Sequence, residues 1–404
     1  MATIAVLGTF DTKGEEHNFV AEIIRKKGHE TLMIDLGSGD EPTIRPDVSR
    51  FEVAAAIGLP LQSLIDAKDR GQCVVEMSKA APVYMAKLVE DGKIDGVISL
   101  GGGGGTALGT AAMRALPLGF PKIMVSTLAS GNTEHYIGTT DICMIPSIVD
   151  VAGLNSISKV IFTKAANAIC GMVEADKAAE EEKPLIVASM FGNTTDCINH
   201  AKPIFENAGY EFMVFHATGT GGKTMESIIN SGRVAGVFDV TTTEWADELV
   251  GGTLSAGAER LDAMTNQKVP AIVAPGCLDM ANFGERETLP EKFEGRTLYI
   301  HNPQVTLMRT DAVECKMLGE VLATKANAND APVAIMLPLK GVSVICQEGQ
   351  PFYDAEADEA LFNSIRENFK KDLVEIDTDI NSREFAEASA YKLLDLIKEY
   401  RKEA

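Results

Sequence analysis

The sequence predicts an α/β protein made of two Rossmann-like, three-layer domains whose mostly parallel sheets face a central cleft. Three observations lead there. Short apolar runs ending in Gly, Ser, Thr or Asp alternate with longer helical patterns from end to end, as parallel β/α units do. The chain's 404 residues exceed one ordinary core. The segment I-A-V-L-G-T-F-D-T-K (4 to 13) and the segment L-I-V-A-S-M-F-G-N-T-T-D (185 to 196) share a strand, turn and helix-start plan.

In order along the first half, strands are expected at Thr3 to Leu7, Glu30 to Asp35, Gly96 to Leu100, Ile123 to Ser126 and Ile142 to Ile145. Helices are expected at Glu15 to Lys27, Met77 to Asp91, Thr106 to Ala115 and Asn155 to Ala175. The charged, Pro-terminated stretch 175 to 184 marks a boundary, giving an N-terminal domain at 1–182 and a C-terminal domain at 183–404. The second half restarts at Leu185 to Ser189, with a helix running on to about Ala208. Its later strands are expected at Glu211 to His216, Val234 to Asp239, Ala271 to Ala274, Thr297 to His301, Val333 to Leu337 and Leu373 to Ile376, before a last helix at Arg383 to Tyr400.

Charge narrows the function. With 58 acidic against 37 basic residues, the formal net charge is -21, and such a field repels nucleic acid and anionic membranes. A nucleotide remains open, because backbone N–H groups at a helix N-terminus bind phosphate without a basic domain. The seven cysteines are odd in number and never spaced C-x-x-C, which fits a reducing compartment and argues against a disulfide framework or zinc site. The N-terminus opens on a strand pattern with no cleavable apolar leader, and no apolar run reaches the roughly 18 residues of a membrane span. The expectation is a cytoplasmic protein.

Parallel sheets bind ligands beyond the carboxyl ends of their strands. Three loops of the first half stand there. Gly8-Thr9-Phe10-Asp11-Thr12-Lys13-Gly14 offers N–H groups, two hydroxyls and an ammonium. Gly101-Gly102-Gly103-Gly104-Gly105-Thr106 opens a helix with five consecutive glycines. Ser126-Thr127-Leu128-Ala129-Ser130-Gly131-Asn132-Thr133 is small and rich in hydroxyls. A phosphate must approach the backbone itself, and each Cβ would block it. Residues 102 to 107 match a loose G-x-G-x-x-A, but the following strand closes in Ser126-Thr127 rather than an acid, which disfavours NAD. Asp11 suits either a magnesium ion shared with phosphate oxygens or a helix N-cap.

At G-T-F-D-T-K-G, L-G-G-G-G-G-T and S-T-L-A-S-G-N-T the chain resembles the Tm-1-like ATP-binding family, uncharacterised bacterial and fungal proteins related to the tomato mosaic virus resistance protein. The resemblance continues through H-A-T-G-T-G-G (216 to 222), P-G-C-L-D-M-A-N-F-G (275 to 284), H-N-P-Q-V-T-L-M-R-T (301 to 310) and L-P-L-K-G-V-S (337 to 343). It implies two Rossmann-like domains, ATP with Mg²⁺ on the first, and a homodimer. Carried over, it places the nucleotide against Gly8, Thr9, Asp11, Thr12, Gly101, Gly102, Gly103, Gly104, Gly105, Thr106, Ser126, Thr127 and Gly131. The plant relative's block on viral RNA replication is read as a recruited role.

The second half holds a relaxed Walker A match at Ala217 to Thr224, with Val234 to Asp239 imitating a Walker B strand, although a P-loop normally follows the first strand of its sheet. His216 and His301 are read at strand carboxyl ends on one sheet edge, with Asn302-Pro303 as an N-cap and first helical position. Such imidazoles suit general acid and base chemistry or, with Asp239 or Asp279, a metal. Arg309, placed two turns into that helix, suits a carboxylate or phosphate. Lys340 and Asp354 fall in a loop over the same crevice, and Cys277 is read as a packed thiol. The expected function is an ATP/Mg²⁺-dependent transferase or ligase acting on a small acidic or carbonyl-bearing metabolite at the interdomain cleft. Two rivals are a nucleotide-sensing or protein-binding module without turnover and a metal-assisted lyase or hydrolase.

Overall fold

A computed structural model describes residues 1–175 and 183–403, so most of the predicted boundary stretch lies outside the described residues. The chain divides into two compact units, Met1–Ala179 and Glu180–Ala404.

The first unit runs β1 (Thr3–Gly8), α1 (Phe10–Lys26), β2 (Glu30–Asp35), α2 (Arg50–Ala55), α3 (Leu61–Asp66), α4 (Arg70–Glu90), β3 (Gly96–Gly101), α5 (Gly103–Arg114), β4 (Lys122–Ser126), α6 (Glu134–Ile137), β5 (Cys143–Pro146) and α7 (Ser156–Glu174). Its five strands are parallel, in the order β2-β1-β3-β4-β5. A strand covered on both faces must be apolar along its buried length, as I-A-V-L-G after Thr3 is. Ile4 and Val6 enter the core under α1 and α7, whereas Ala5 and Leu7 enter the core under α4 and α5. Three layers result. Asn155 starts α7 with a capping box, its side chain accepting from Ile157 and Ser158 N–H groups while Ser158 Oγ accepts from the Asn155 N–H.

The second unit runs β6 (Leu185–Met190), α8 (Thr195–Asn207), β7 (Glu211–His216), α9 (Thr220–Asn230), β8 (Val234–Thr241), α10 (Glu244–Val250), α11 (Asp262–Asn266), β9 (Ala271–Gly276), β10 (Met280–Phe283), β11 (Leu298–Asn302), β12 (Val305–Arg309), α12 (Ala312–Ala328), β13 (Val333–Pro338), α13 (Ala355–Asn368), β14 (Asp372–Ile376) and α14 (Arg383–Glu403). Its six-stranded sheet is also parallel, in the order β7-β6-β8-β9-β13-β14. The first five positions repeat the strand order of the first unit. In both, the order reverses beside the first strand, so the crevice of each sheet lies between β1 and β3 and between β6 and β8.

One expectation fails here. The helix predicted after Asn302 does not form; β11 and β12 make a hairpin, and β10 completes a separate antiparallel sheet in the order β10-β12-β11. Asn302 turns the chain by accepting the Gln304 N–H at 2.9 Å. Asn-Pro serves a hairpin turn as well as a helix start, and the pairing of β12 with β10 decides between them. The helix begins only at Ala312, behind the Asp311 cap. No helix among the described residues is long and apolar enough to cross a membrane.

Candidate functional site

The loops after β1 and β3 flank the crevice of the first unit, and they leave it on opposite faces with α1 and α5. The five glycines span the end of β3 and the start of α5, with Gly102 as N-cap. None has a positive φ. A Cβ on Gly101 would lie 2.7 Å from Gly105 Cα, so close packing explains that glycine. The next four have no such reason. A Cβ on Gly103 would meet nothing within 4 Å, and the nearest atoms to those on Gly102, Gly104 and Gly105 would be 3.8, 3.9 and 3.5 Å away. Gly103 is exposed, and the first-turn N–H groups of α5 have no partner within the helix. The result is bare helix N-terminus facing open space, the geometry that receives an anion.

The first loop is more occupied than the sequence indicates. A Cβ on Gly8 would fall 2.0 Å from His17 Nε2, so Gly8 is bare because an imidazole sits on it, which removes it from direct phosphate contact. The His17 ring is fully buried; its Nδ1–H donates to Lys13 O at 2.6 Å, and its Nε2 accepts the Leu100 N–H at 3.3 Å. Burial pushes its pKa down to about 4, so the ring is neutral. Asp35, at the end of β2, stands where a ribose-binding acid would. Its Oδ1 instead accepts N–H groups from Phe10 at 3.0 Å and Gly37 at 2.7 Å, and burial pushes its carboxyl up. Asp11 Oδ2 accepts the Gly39 N–H at 2.8 Å, while its Oδ1 is buried with no hydrogen-bond partner. That orphaned carboxylate oxygen fits a divalent cation. Thr9 and Thr12 join hydroxyls at 3.1 Å beside it.

In the third loop the hydroxyls divide. Thr106 Oγ1 and Ser126 Oγ bond each other at 2.7 Å, both are fully buried, and Ser126 Oγ also accepts the Leu128 N–H. They tie α5 to β4 and are spent internally. Thr127 and Gly131 remain accessible, with Thr127 bordering Gly102.

The relaxed Walker A stretch of the second unit is a filled nest. Gly219 and Gly222 N–H groups both donate to Glu244 Oε1, at 2.7 and 3.0 Å. Arg260 Nε donates to Glu244 Oε2 at 2.7 Å, and its other nitrogens grip Asp239 and Glu226. A Cβ on Gly222 would lie 2.1 Å from that carboxylate. The chain's own anion holds the place a phosphate would take, and Asp239, the supposed Walker B acid, is consumed by Arg260.

Of the residues proposed for catalysis only Arg309 and Asp354 meet, through a 3.4 Å bond from the guanidinium to the Asp354 carbonyl. His216 ends β7 at the sheet edge, exposed, its ring 5.4 Å from Phe191. His301 sits on the antiparallel β11, in a different sheet. Arg309 is buried at the end of β12, donating to Phe352 O at 2.8 Å and pairing with Asp358 at 2.6 Å, so it is consumed inside the unit. Asp354 caps α13 through the Ala357 N–H, and Lys340 pairs with Asp377 on the surface. Asp279 is fully buried with Ser343 on its Oδ2. Among the described residues no group of three His, Cys, Asp or Glu side chains is placed to hold a metal. Cys277 is fully buried at a positive φ of 59°, and burial pushes its thiol up, as for a packed thiol.

Sequence reasoning passed over His17, Arg260 and Glu244. A histidine inside a helix and an acid three residues after the end of β8 carry no local signal, because the Leu100 N–H and the glycine N–H groups they accept stand 83 and 22 to 25 residues away.

Comparison with known proteins gives a family and no activity. A UPF0261 protein of Clostridium tetani is 50% identical over 400 residues, covering 98% of this chain and 99% of its own. The ToMV resistance protein Tm-1(GCR237) of Solanum lycopersicum is 37% identical, and the match covers 96% of this chain but 55% of the tomato protein. Among solved structures, a UDP-GlcNAc 2-epimerase from Neisseria meningitidis aligns over 68% of this chain and 82% of its own at 11% identity and a TM-score of 0.23, too distant to carry an argument. The signatures of the N-terminal and C-terminal domains of one family match residues 2–178 and 183–397, and the chain therefore belongs to the uncharacterised protein family UPF0261.

Proposed function

We propose that the first unit binds ATP, with Mg²⁺, at the crevice between β1 and β3. One observation carries the reading: Gly102, Gly103, Gly104 and Gly105 form a side-chain-free helix start, in open space, at the strand-order reversal of the sheet. Leaving Gly103, Gly104 and Gly105 as glycine in the first turn destabilises the unliganded helix by up to about 1 kcal/mol each relative to alanine. An anion against the backbone offsets that. Asp11 Oδ1 would hold the cation, and Thr9, Thr12, Thr127 and Gly131 border the polyphosphate.

The test is a thermal shift with Mg²⁺·ATP. At a hundredfold excess over Kd, ATP adds about 2.7 kcal/mol to the stability of the first unit. Gly103→Val leaves the protein folded, because the space is open, and abolishes the shift. An undiminished shift in the variant overturns the assignment.

Turnover is a separate question, and the dispersal of His216, His301 and Arg309 favours a module that binds nucleotide without consuming it. ADP release with a panel of small carboxylates decides this; saturable binding with no release supports the sensing module, and carboxylate-dependent release supports the ligase or transferase.

A further inference from the structure

The crevice of the first unit has two walls that share no helix, and one buried side chain connects them. α1 is not continuous: Lys13 has φ -132° and ψ 23°, so residues 10 to 13 form a separate turn, and the regular helix follows. His17, one turn after that break, donates Nδ1–H to the carbonyl of the break residue itself at 2.6 Å. The opposite nitrogen, Nε2, takes the N–H of Leu100 at 3.3 Å. Leu100 directly precedes the open glycine loop. The ring rests on Gly8 and lies 5.4 Å from the ring of Phe10, so it also packs the start of the turn that carries Thr9, Asp11 and Thr12.

Resting on the nucleotide reading above, we infer that His17 is the positioning residue of the site: one imidazole, bonded at both nitrogens, sets the turn after β1 against the loop after β3 without touching the ligand. The bond directions require the Nδ1–H form of a neutral ring. Nε2 must present a lone pair to a backbone N–H, and Nδ1 must present a proton to a carbonyl. A ring that only filled the volume would need neither. Gly8 completes the device, since any Cβ there would displace the ring.

Calorimetric titration of the full chain with Mg²⁺·ATP, beside its thermal unfolding without nucleotide, tests the inference on three variants. His17→Phe fills the space over Gly8 but cannot bond either wall. His17→Asn keeps an amide N–H able to reach the Lys13 carbonyl but cannot also meet the Leu100 N–H. Gly8→Ala displaces an otherwise intact ring. The expected result is a tenfold or greater loss of affinity in H17F, H17N and G8A alike, because none of them bonds both walls, whatever the order of their melting temperatures. Affinities that track melting temperature across the set, or H17F binding as wild type does, overturn the positioning role. Wild-type protein that binds no Mg²⁺·ATP at all rejects the nucleotide reading itself, and this inference with it.

Discussion

Asp247 shows how far burial moves one carboxyl in the second unit. It sits on α10 with no exposure, its Oδ1 accepting N–H groups from Leu254 and Asn282 and its Oδ2 accepting from Asn282 Nδ2. Burial raises its pKa to about 7 against those bonds, and Glu244 adds to the rise. A folded pKa above the unfolded one means that the native state keeps a proton the unfolded chain has released. The stability this supplies is present below about pH 4 and is lost as pH climbs to about 7, on the order of 4 kcal/mol in full. Urea unfolding followed by Trp245, the single tryptophan and a member of the same helix, should show Asp247→Asn gaining stability relative to wild type between pH 5 and pH 8. The same difference at both pH values would mean that Asp247 is already ionised at pH 5. Asn282 Oδ1, buried without a partner, can take the new amide proton if the Asn282 side chain flips.

At the scale of elements, two helix starts with similar glycine content behave oppositely. α5 opens on glycines above empty space, whereas α9 opens on glycines clamped around Glu244. Alanine is a stronger helix former than glycine, and a compatible Gly→Ala change also narrows the unfolded ensemble. Gly103→Ala should therefore stabilise the protein without nucleotide by up to about 1 kcal/mol. Gly222→Ala, whose methyl would intrude on a carboxylate held by two N–H groups and an arginine, should destabilise by about 1 to 3 kcal/mol. Chemical denaturation of the two variants measures both, and equal signs would refute the distinction drawn between an open nest and a filled one. The hairpin of β11 and β12 teaches the same lesson about short motifs. Asn302-Pro303 and Gly219 to Thr224 each fit two local structures, and a distant neighbour picks one.

For the molecule as a whole, each unit has a sheet packed on both faces with its own pair of apolar cores. A chain of residues 1–179 should accordingly unfold in one cooperative transition, and on the proposed reading it should retain the ATP-dependent shift. Broad, non-cooperative melting of that fragment would show that the first unit depends on the second. The net charge of -21 bears on partners at this scale, since the summed field works against a polyanion.

The sequence by itself determined the alternation of strands and helices, the α/β class and the loops at strand ends. It could do so because apolar periodicity and glycine punctuation are local properties, and the strands at Glu30–Asp35 and Glu211–His216 fall where periodicity puts them. Tertiary structure alone decided what each glycine is for. Gly8 carries His17, Gly222 carries Glu244, and Gly103 carries nothing of the protein. It also decided that His216 and His301 belong to different sheets and that Arg309 ends in a buried ion pair. The reason is physical: whether a backbone N–H or a charged side chain remains free for a ligand depends on which distant group reaches it first, and sequence spacing does not encode that distance.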